Sequence, residues 1–539
     1  MINEEINADI EHVTKEALRY QTGKLDEEEW RHIRLKNGVY GIRFQKNIQM
    51  VRVKLPYGEV SSDQLRIMGD IAEIFSAGIG HITTRQDIQF HWIALEGVPE
   101  VLRRLGEVGL STREACGNTV RNVTACPLAG VCNKEVFDVT PYAKHITNHL
   151  LRNPLTQNLP RKFKLAFSGC SDDCVKVAIN DIGAIATIND KKGKLTKGFR
   201  LYVGGGLGSP PRAAHLLEEF TSEEDLEITC EGIIRTFDRL GNRNNIFRAR
   251  MKFIIDQIGI ETFRQHIFKE RELILTKKTG NPILKIEDDN VAKNRSISTK
   301  SFGDNKDFEK WLNTNVEQQK QTGFYSVFVN LIGGDITARQ FRILADITEK
   351  YGDGFIRTTI RQDIVLRWID QKNIDMVYIE LKKANLAVMG ANTICDIVGC
   401  PGADTCNLGV TRSHRLAMKL SEHLLEHEED IFSKEFEGAN INVSGCPNSC
   451  GHNHIATIGL FGSAQRVNGQ MTPFYQIQLG GGVSDGNVKF AEHSIRIPAK
   501  KVPEAISKLM SLYRSEKQEK ETFTSWVNRL RSDGGEEVG

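Results

Sequence analysis

No run in the 539-residue sequence approaches the roughly 18 apolar residues of a membrane-spanning helix, so no membrane partner is expected. Charge of one sign is also missing. Lys and Arg number 71 against 69 Asp and Glu, a formal +2, so no global attraction to nucleic acid or anionic lipid follows and any electropositive site must be local. A dinucleotide fingerprint is absent too: "VGGGLG" (203–208) lacks the G-x-G-x-x-G spacing and the βαβ setting. The opening "MINEEINADIEHVTKEALRY" is acidic and has no signal-peptide apolar core, which makes a reducing cytoplasm the expected compartment. Eleven cysteines, an odd number, argue against a disulfide framework there, and their clustering points to metal. Cys230 stands apart and reads as a buried, inert thiol.

What is present is a soluble composition, 40% apolar and 26% charged, on a chain long enough for three or more domains. The chain also contains itself twice. "VRVKLPYGEVSSDQLRIMGDIAEIFSAGIGHITTRQDIQFHWI" from Val51 aligns without a gap with "VFVNLIGGDITARQFRILADITEKYGDGFIRTTIRQDIVLRWI" from Val327. Each copy reads as a strand, a turn at Gly58 or Gly334, an amphipathic helix and a second strand ending in "RQDI", with helical stretches after it, which suits a compact α+β unit. The similarity continues through "NTVRNVTACPLAGVC" (118–132) with "NTICDIVGCPGADTC" (392–406), and "AFSGCSDDCVKVAINDIGAIA" (166–186) with "NVSGCPNSCGHNHIATIGLFG" (442–462). "LYVGGGLG" (201–208) pairs with "IQLGGGVS" (477–484), and collinearity on this scale means tandem duplication.

The second copy holds C-x5-C at Cys400 and Cys406 and C-x3-C at Cys446 and Cys450. Four soft thiolates select zinc or an iron–sulfur cluster, and neither spacing is the C-x2-C knuckle of a zinc ribbon. C-x5-C followed by C-P-N-x-C-G closely resembles the siroheme- and [4Fe–4S]-dependent sulfite and nitrite reductases, over nearly the whole chain. The resemblance implies a [4Fe–4S] cluster on Cys400, Cys406, Cys446 and Cys450. The Cys450 thiolate would also bridge to the siroheme iron. It further implies two ferredoxin-like (parachute) domains and two siroheme/Fe–S α/β domains around a pseudo-twofold axis, in an α+β fold.

Reducing a small oxyanion by several electrons needs fixed positive charge and protons near the iron. The first copy supplies Arg85 in "TTRQDIQF", Arg121 in "NTVRNVT", and Lys162 and Lys164 in "LPRKFK", where alternation puts both lysines on one strand face and Phe163 on the other. These positions match the family's substrate-binding Arg, Arg, Lys and Lys. In the second copy only Arg361 survives, since Cys395, Gly438 and Asn440 replace the others, so a single catalytic centre is expected. Asn122, Asn448 and the glycines Gly204, Gly205 and Gly206 are expected at the cofactor. His91 and the "GHNH" histidines are candidate proton relays, with core or solvated histidines the commoner case.

The first copy keeps its own quartet, Cys126, Cys132, Cys170 and Cys174, which many relatives have lost. It reads either as the ligands of a second [4Fe–4S] cluster or as reduced remnants. Cys116 is a buried thiol or, as in some sulfite-reducing relatives, a partner for a Tyr–Cys thioether, with Tyr57 the conceivable tyrosine. Expected boundaries are a helical arm at 1–44, ferredoxin-like half-domains at 45–115 and 306–390, a siroheme and substrate domain at 116–290, a linker at 291–305, a 4Fe–4S domain at 391–515, and a C-terminal helix and tail at 516–539. The resemblance implies reduction of sulfite to sulfide with electrons from ferredoxin or a flavoprotein. Nitrite reduction to ammonia is the close alternative, and a precorrin-3B synthase-like enzyme a remoter one. Nitrite-reducing relatives often carry Asn where this chain has Lys164, which favours sulfite.

Overall fold

The computed structural model describes residues 2–45, 47–191, 193–277, 306–427 and 431–532. The expected linker at 291–305 and the tail beyond Ser532 lie outside them. Among the described residues no helix is long and apolar enough to cross a membrane.

Two five-stranded sheets carry the first repeated segment, and each borrows an edge from the other half. Strand Glu59–Ser61 leaves its own copy and pairs antiparallel with Phe355–Thr358, while Asp335–Thr337 pairs with Ile79–Ile82. The helices that follow, Ser62–Phe75 and Ala338–Tyr351, begin in capping boxes at Ser61 and Thr337 and lie against each other. Their crossing is close, because a Cβ at Gly69 would stand 3.0 Å from the Ala338 carbonyl. Exchange and packing leave one apolar core, with Val51, Met68 and Phe90 of one copy beside Val327, Phe341 and Leu366 of the other. The expected helical arm is two helices, Glu4–Gln21 and Glu27–Lys36, whose Val13, Ala17 and Trp30 enter the same core.

"RQDI" does not end a strand. It is the tight link between Ile79–Ile82 and Ile88–Ala94, with Gln86 left-handed at φ 59° and its counterpart Gln362 at φ 74°. Thr83 N–H bonds the Asp87 carbonyl at 2.9 Å, and Gln86 N–H the Thr83 carbonyl at 3.0 Å, which closes the turn and puts Arg85 at its tip.

The other two large sheets are mixed and built alike. In the first, Thr124–Ala125, Leu165–Ser168 and Ile182–Lys191 run parallel, then Lys194–Val203 and His215–Ser222 antiparallel. In the second, Val398–Gly399, Ile441–Ser444 and Ile458–Val467 are parallel and Gln470–Leu479 and Glu492–Pro498 antiparallel. The cysteine loops and the glycine runs lie at one end of these sheets, where the turns of the ferredoxin-like body reach them. Gln86 donates to the Ala125 carbonyl at 3.0 Å and the Thr358 carbonyl at 2.7 Å, and Gln362 accepts from Gly399 N–H at 2.8 Å while donating to the Ile82 carbonyl at 2.9 Å. Each glutamine thus locks its arginine turn to both halves of the chain.

Candidate functional site

The Arg85 guanidinium is oriented by acceptors that carry no full charge: the Asn180 side chain at 2.8 Å, the Asn122 carbonyl at 2.5 Å and the Leu165 carbonyl at 3.1 Å. Burial lowers it to about 10, with Asp87 and Asp181 opposing. Arg121 is fixed by the Ala115 carbonyl at 2.9 Å and the Gly117 carbonyl at 2.9 and 3.2 Å. Phe163 pairs with Val120 and is fully buried, so Lys162 and Lys164 emerge on the opposite side, half-buried. Neither ammonium has a hydrogen bond or ion pair among the described residues. Burial, with Arg250 and Arg121 near, pushes Lys162 down to about 8, and Lys164 is held well below the usual lysine range by burial, Arg85 and Lys162.

Three further cations, unforeseen from the sequence, join them. Arg250 forks onto the fully buried Asp181 at 2.9 and 3.0 Å, and the same carboxylate accepts Lys164 N–H at 2.8 Å. Arg161 is lowered by burial and by Arg250 and Arg121. Lys252, lowered to about 8 by burial and Arg250, donates to the carbonyls of Gly206 at 3.2 Å, Pro210 at 2.5 Å and Gly208. Alternating cations in "RARMK" (248–252) just before a helix were the signal that could have found two of them.

On the other wall, Cys450 is exposed, Cys400 is buried, and Cys406 and Cys446 are half-buried. Gly445 N–H reaches the Cys400 sulfur at 3.1 Å, Ser413 Oγ lies 3.1 Å from it, and Asn448 Nδ2 is 3.5 Å from the Cys446 sulfur. Burial pushes the Cys400 thiol up to about 12, with Cys450 adding to the effect; Cys406 and Cys446 are raised for the same two reasons. The two walls meet where Thr84 Oγ1, next to Arg85, donates to the Cys450 carbonyl at 2.9 Å. Cys450 also acts electrostatically on Lys162 and Lys164. Cations from the first half therefore face sulfur from the second.

The remaining expected residues sort by contact. Asn122 is fully buried and donates to the carbonyls of Leu55 at 2.5 Å and Arg85 at 3.0 Å, leaving its Oδ1 unpartnered. At Gly205 a Cβ would stand 2.4 Å from the Ala178 carbonyl, and at Gly204, φ 86°, 2.3 Å from Ile255 Cδ1. Close packing of the chain on itself accounts for glycine there. Only Gly206 turns toward a site cation, its Cβ position 3.1 Å from Arg250 Nη2. His91 and His452 are both lowered to about 3, chiefly by burial, and so remain neutral, which removes them as ready proton donors near neutral pH. Tyr57 is engaged away from Cys116: its hydroxyl faces Glu59 at 3.4 Å and its ring lies under Arg357 at 4.5 Å. The phenol that acts on the Cys116 thiol is that of Tyr40. Cys230 is fully buried on helix Leu226–Leu240 and raised to about 12 by burial.

The donor set fits the implied cofactors. Four cysteines with N–H groups aimed at their sulfurs suit an iron–sulfur cluster. Of the seven gathered cations, Arg85, Arg121, Arg161, Lys162, Lys164, Arg250 and Lys252, only Arg250 has a carboxylate ion-pair partner among the described residues. That much uncompensated, enclosed positive charge suits anionic ligands, a macrocycle ringed with carboxylates and an oxyanion together.

Comparison with known proteins agrees. The family model "Nitrite and sulphite reductase 4Fe-4S domain" matches residues 116–274 and again 390–533, and "Nitrite/Sulfite reductase ferredoxin-like half domain" matches 43–108 and 317–384. The assimilatory ferredoxin-dependent nitrite reductase of Haloferax mediterranei is 30% identical over 90% of this chain and 82% of its own. A sulfite reductase [ferredoxin] of Mycobacterium tuberculosis is 29% identical, with the same shares covered. The solved structure of the Mycobacterium tuberculosis NirA protein superposes with a TM-score of 0.80 at 27% identity, over 94% of this chain and 91% of that one. The chain is a member of the siroheme- and [4Fe–4S]-dependent nitrite and sulfite reductase family of oxidoreductases.

Proposed function

We propose that this chain carries out the six-electron reduction of sulfite to sulfide. Cys400, Cys406, Cys446 and Cys450 would hold the [4Fe–4S] cluster, and Cys450 would also hold the siroheme. Siroheme and cluster, when bound, supply the electron path and the metal that takes the anion. Arg250, Lys252, Arg161 and Arg121 carry charge suited to the macrocycle's carboxylates, and Asn448 stands beside a cluster sulfur. Arg85, Arg121, Lys162 and Lys164 bind the oxyanion, the arginines as fixed charges and the lysines as charges whose protons can move. Lys162, lowered to about 8, is poised to give up a proton near neutral pH as an S–O bond breaks.

The observation that carries this reading is the unpaired Lys162 and Lys164 beside the exposed Cys450. Two mobile positive charges favour a dianion or its conjugate acid over a monoanion. A precorrin-modifying enzyme has no need of such a set. Nitrite reduction is the second reading, since relatives named for either substrate are equally similar. Ferredoxin is the proposed donor, on the strength of ferredoxin-dependent relatives, in preference to a flavoprotein. Eleven free cysteines suit a cytoplasmic setting. Steady-state rates on both anions with reduced methyl viologen test the substrate: a higher kcat/KM for sulfite is expected, and one much higher for nitrite overturns the choice.

A further inference from the structure

The first-half cysteines sit in the same cradle as the second-half set. Cys126 N–H bonds the Phe167 carbonyl at 3.1 Å, as Cys400 N–H bonds that of Val443 at 3.1 Å. Cys132 N–H bonds the Leu128 carbonyl at 2.8 Å, as Cys406 N–H bonds that of Gly402 at 2.9 Å. Between and after the C-x3-C pairs the chain turns left-handed at matching places: Asp173 at φ 50° with Ser449 at 53°, and Lys176 at 57° with His452 at 63°. Such conformations cost energy in residues other than glycine, so their recurrence marks a fold held for a purpose.

The donors aimed at sulfur recur as well. In the second half, the N–H groups of Gly402, Leu408 and Asn448 point at Cys400, Cys406 and Cys446, each from two residues further on. In the first half, Leu128, Lys134 and Asp172 do the same for Cys126, Cys132 and Cys170, the Lys134 contact measuring 3.4 Å. Backbone N–H groups directed at thiolate sulfur are how proteins stabilise an anionic cluster. All four first-half thiols are free, and they converge in pairs that act on each other electrostatically, Cys126 with Cys174 and Cys132 with Cys170.

We propose that Cys126, Cys132, Cys170 and Cys174 ligate a second [4Fe–4S] cluster. A single zinc ion is the poorer occupant. The quartet repeats the C-x5-C and C-x3-C spacings of the second half, neither of which is the C-x2-C knuckle of a zinc ribbon. The second cluster would not make a second catalytic centre. Arg361, the counterpart of Arg85, is closed off by Asp396 at 2.5 Å, and the counterpart of Thr84 is Ile360, packed against Val175 and Val177.

This inference rests on the family's own cluster being present, and the test separates the two. Purify the full chain anaerobically, reconstitute with ferrous iron and sulfide, and measure siroheme, non-siroheme iron, labile sulfide and zinc. About eight non-siroheme irons and about eight sulfides per siroheme are expected, falling to about four of each in Cys126→Ser and Cys170→Ser with siroheme retained. About four irons per siroheme in the reconstituted wild type overturns the second cluster alone, whether or not zinc accompanies them. Protein that takes up neither siroheme nor iron overturns the first cluster as well. If a serine variant does not fold, the wild-type count still decides.

Discussion

Arg85 and Arg361 occupy equivalent turns, and their surroundings show how two copies of one turn came to treat the same charge differently. Both guanidiniums bond the carbonyl of an equivalent residue, Asn122 or Asp396, each at 2.5 Å. The side chain of that residue differs. Asn122 is neutral and bonds backbone carbonyls, so Arg85 keeps its charge for a ligand. The Asp396 carboxylate pairs with Arg361 at 2.5 Å and spends that charge internally. Around them, Arg121, Lys162 and Lys164 are replaced by Cys395, Gly438 and Asn440. Backbone geometry was retained in both halves; the charge was retained in one.

The largest expected effect separates the two exposed cysteines. Cys450→Ser should abolish turnover and remove the cluster and the siroheme absorption together, while Cys174→Ser should retain siroheme and reduce sulfite. Next come the arginines. Arg85→Ala should lower kcat/KM for sulfite by about a hundredfold or more, the scale of losing a preorganised charge, whereas Arg361→Ala should stay within about twofold. Exchanging their neighbours sharpens the contrast: Asn122→Asp should cripple sulfite reduction by neutralising Arg85, and Asp396→Asn should not. Lys164→Asn, which installs the second-half residue, should lower kcat/KM for sulfite about tenfold more than for nitrite, and equal losses would mean the position does not discriminate.

A pH effect follows from Lys162, lowered to about 8 from 10.5. Its proton leaves as pH rises through that value, so sulfite kcat/KM should fall on the alkaline side, and Lys162→Met should remove that limb of the profile. The same group works oppositely on folding. Between about 8 and 10.5 the unfolded lysine binds a proton that the native one does not, so its contribution to stability rises with pH across that window. The smallest contrast concerns packing. Gly205→Ala and its counterpart Gly481→Ala, whose Cβ atoms would stand 2.4 and 2.7 Å from backbone carbonyls, should each cost about 1–3 kcal/mol in denaturant unfolding. Gly482→Ala, with no atom within 4 Å, should change stability by less than about 0.5 kcal/mol.

Much of this was legible in the linear chain because the informative residues lie in short, repeated motifs. The duplication, the cysteine spacings and the "RKFK" alternation all survive as local pattern. The strand exchange was not legible, since Glu59–Ser61 has the same alternation whichever sheet receives it. "RQDI" was misread as the end of a strand because its apolar flanks continue the alternation through a turn whose left-handed residue is a glutamine, not a glycine. Arg250 and Lys252 lie far along the chain from Lys162 and Lys164, and Asp181 alone links the groups. Tyr40 was missed beside Cys116 because the strand Val39–Gly41 that delivers it fell in what read as a helical arm.

First-half cations and second-half sulfur are expected to form one anion site. Anaerobic optical titration of the siroheme with sulfite tests it most directly, in the wild type and in the Arg85→Ala and Arg361→Ala variants. One saturable spectral shift per chain is expected, weakened strongly by Arg85→Ala and left in place by Arg361→Ala. Equal weakening by both substitutions, or wild-type protein without siroheme to titrate, would contradict it.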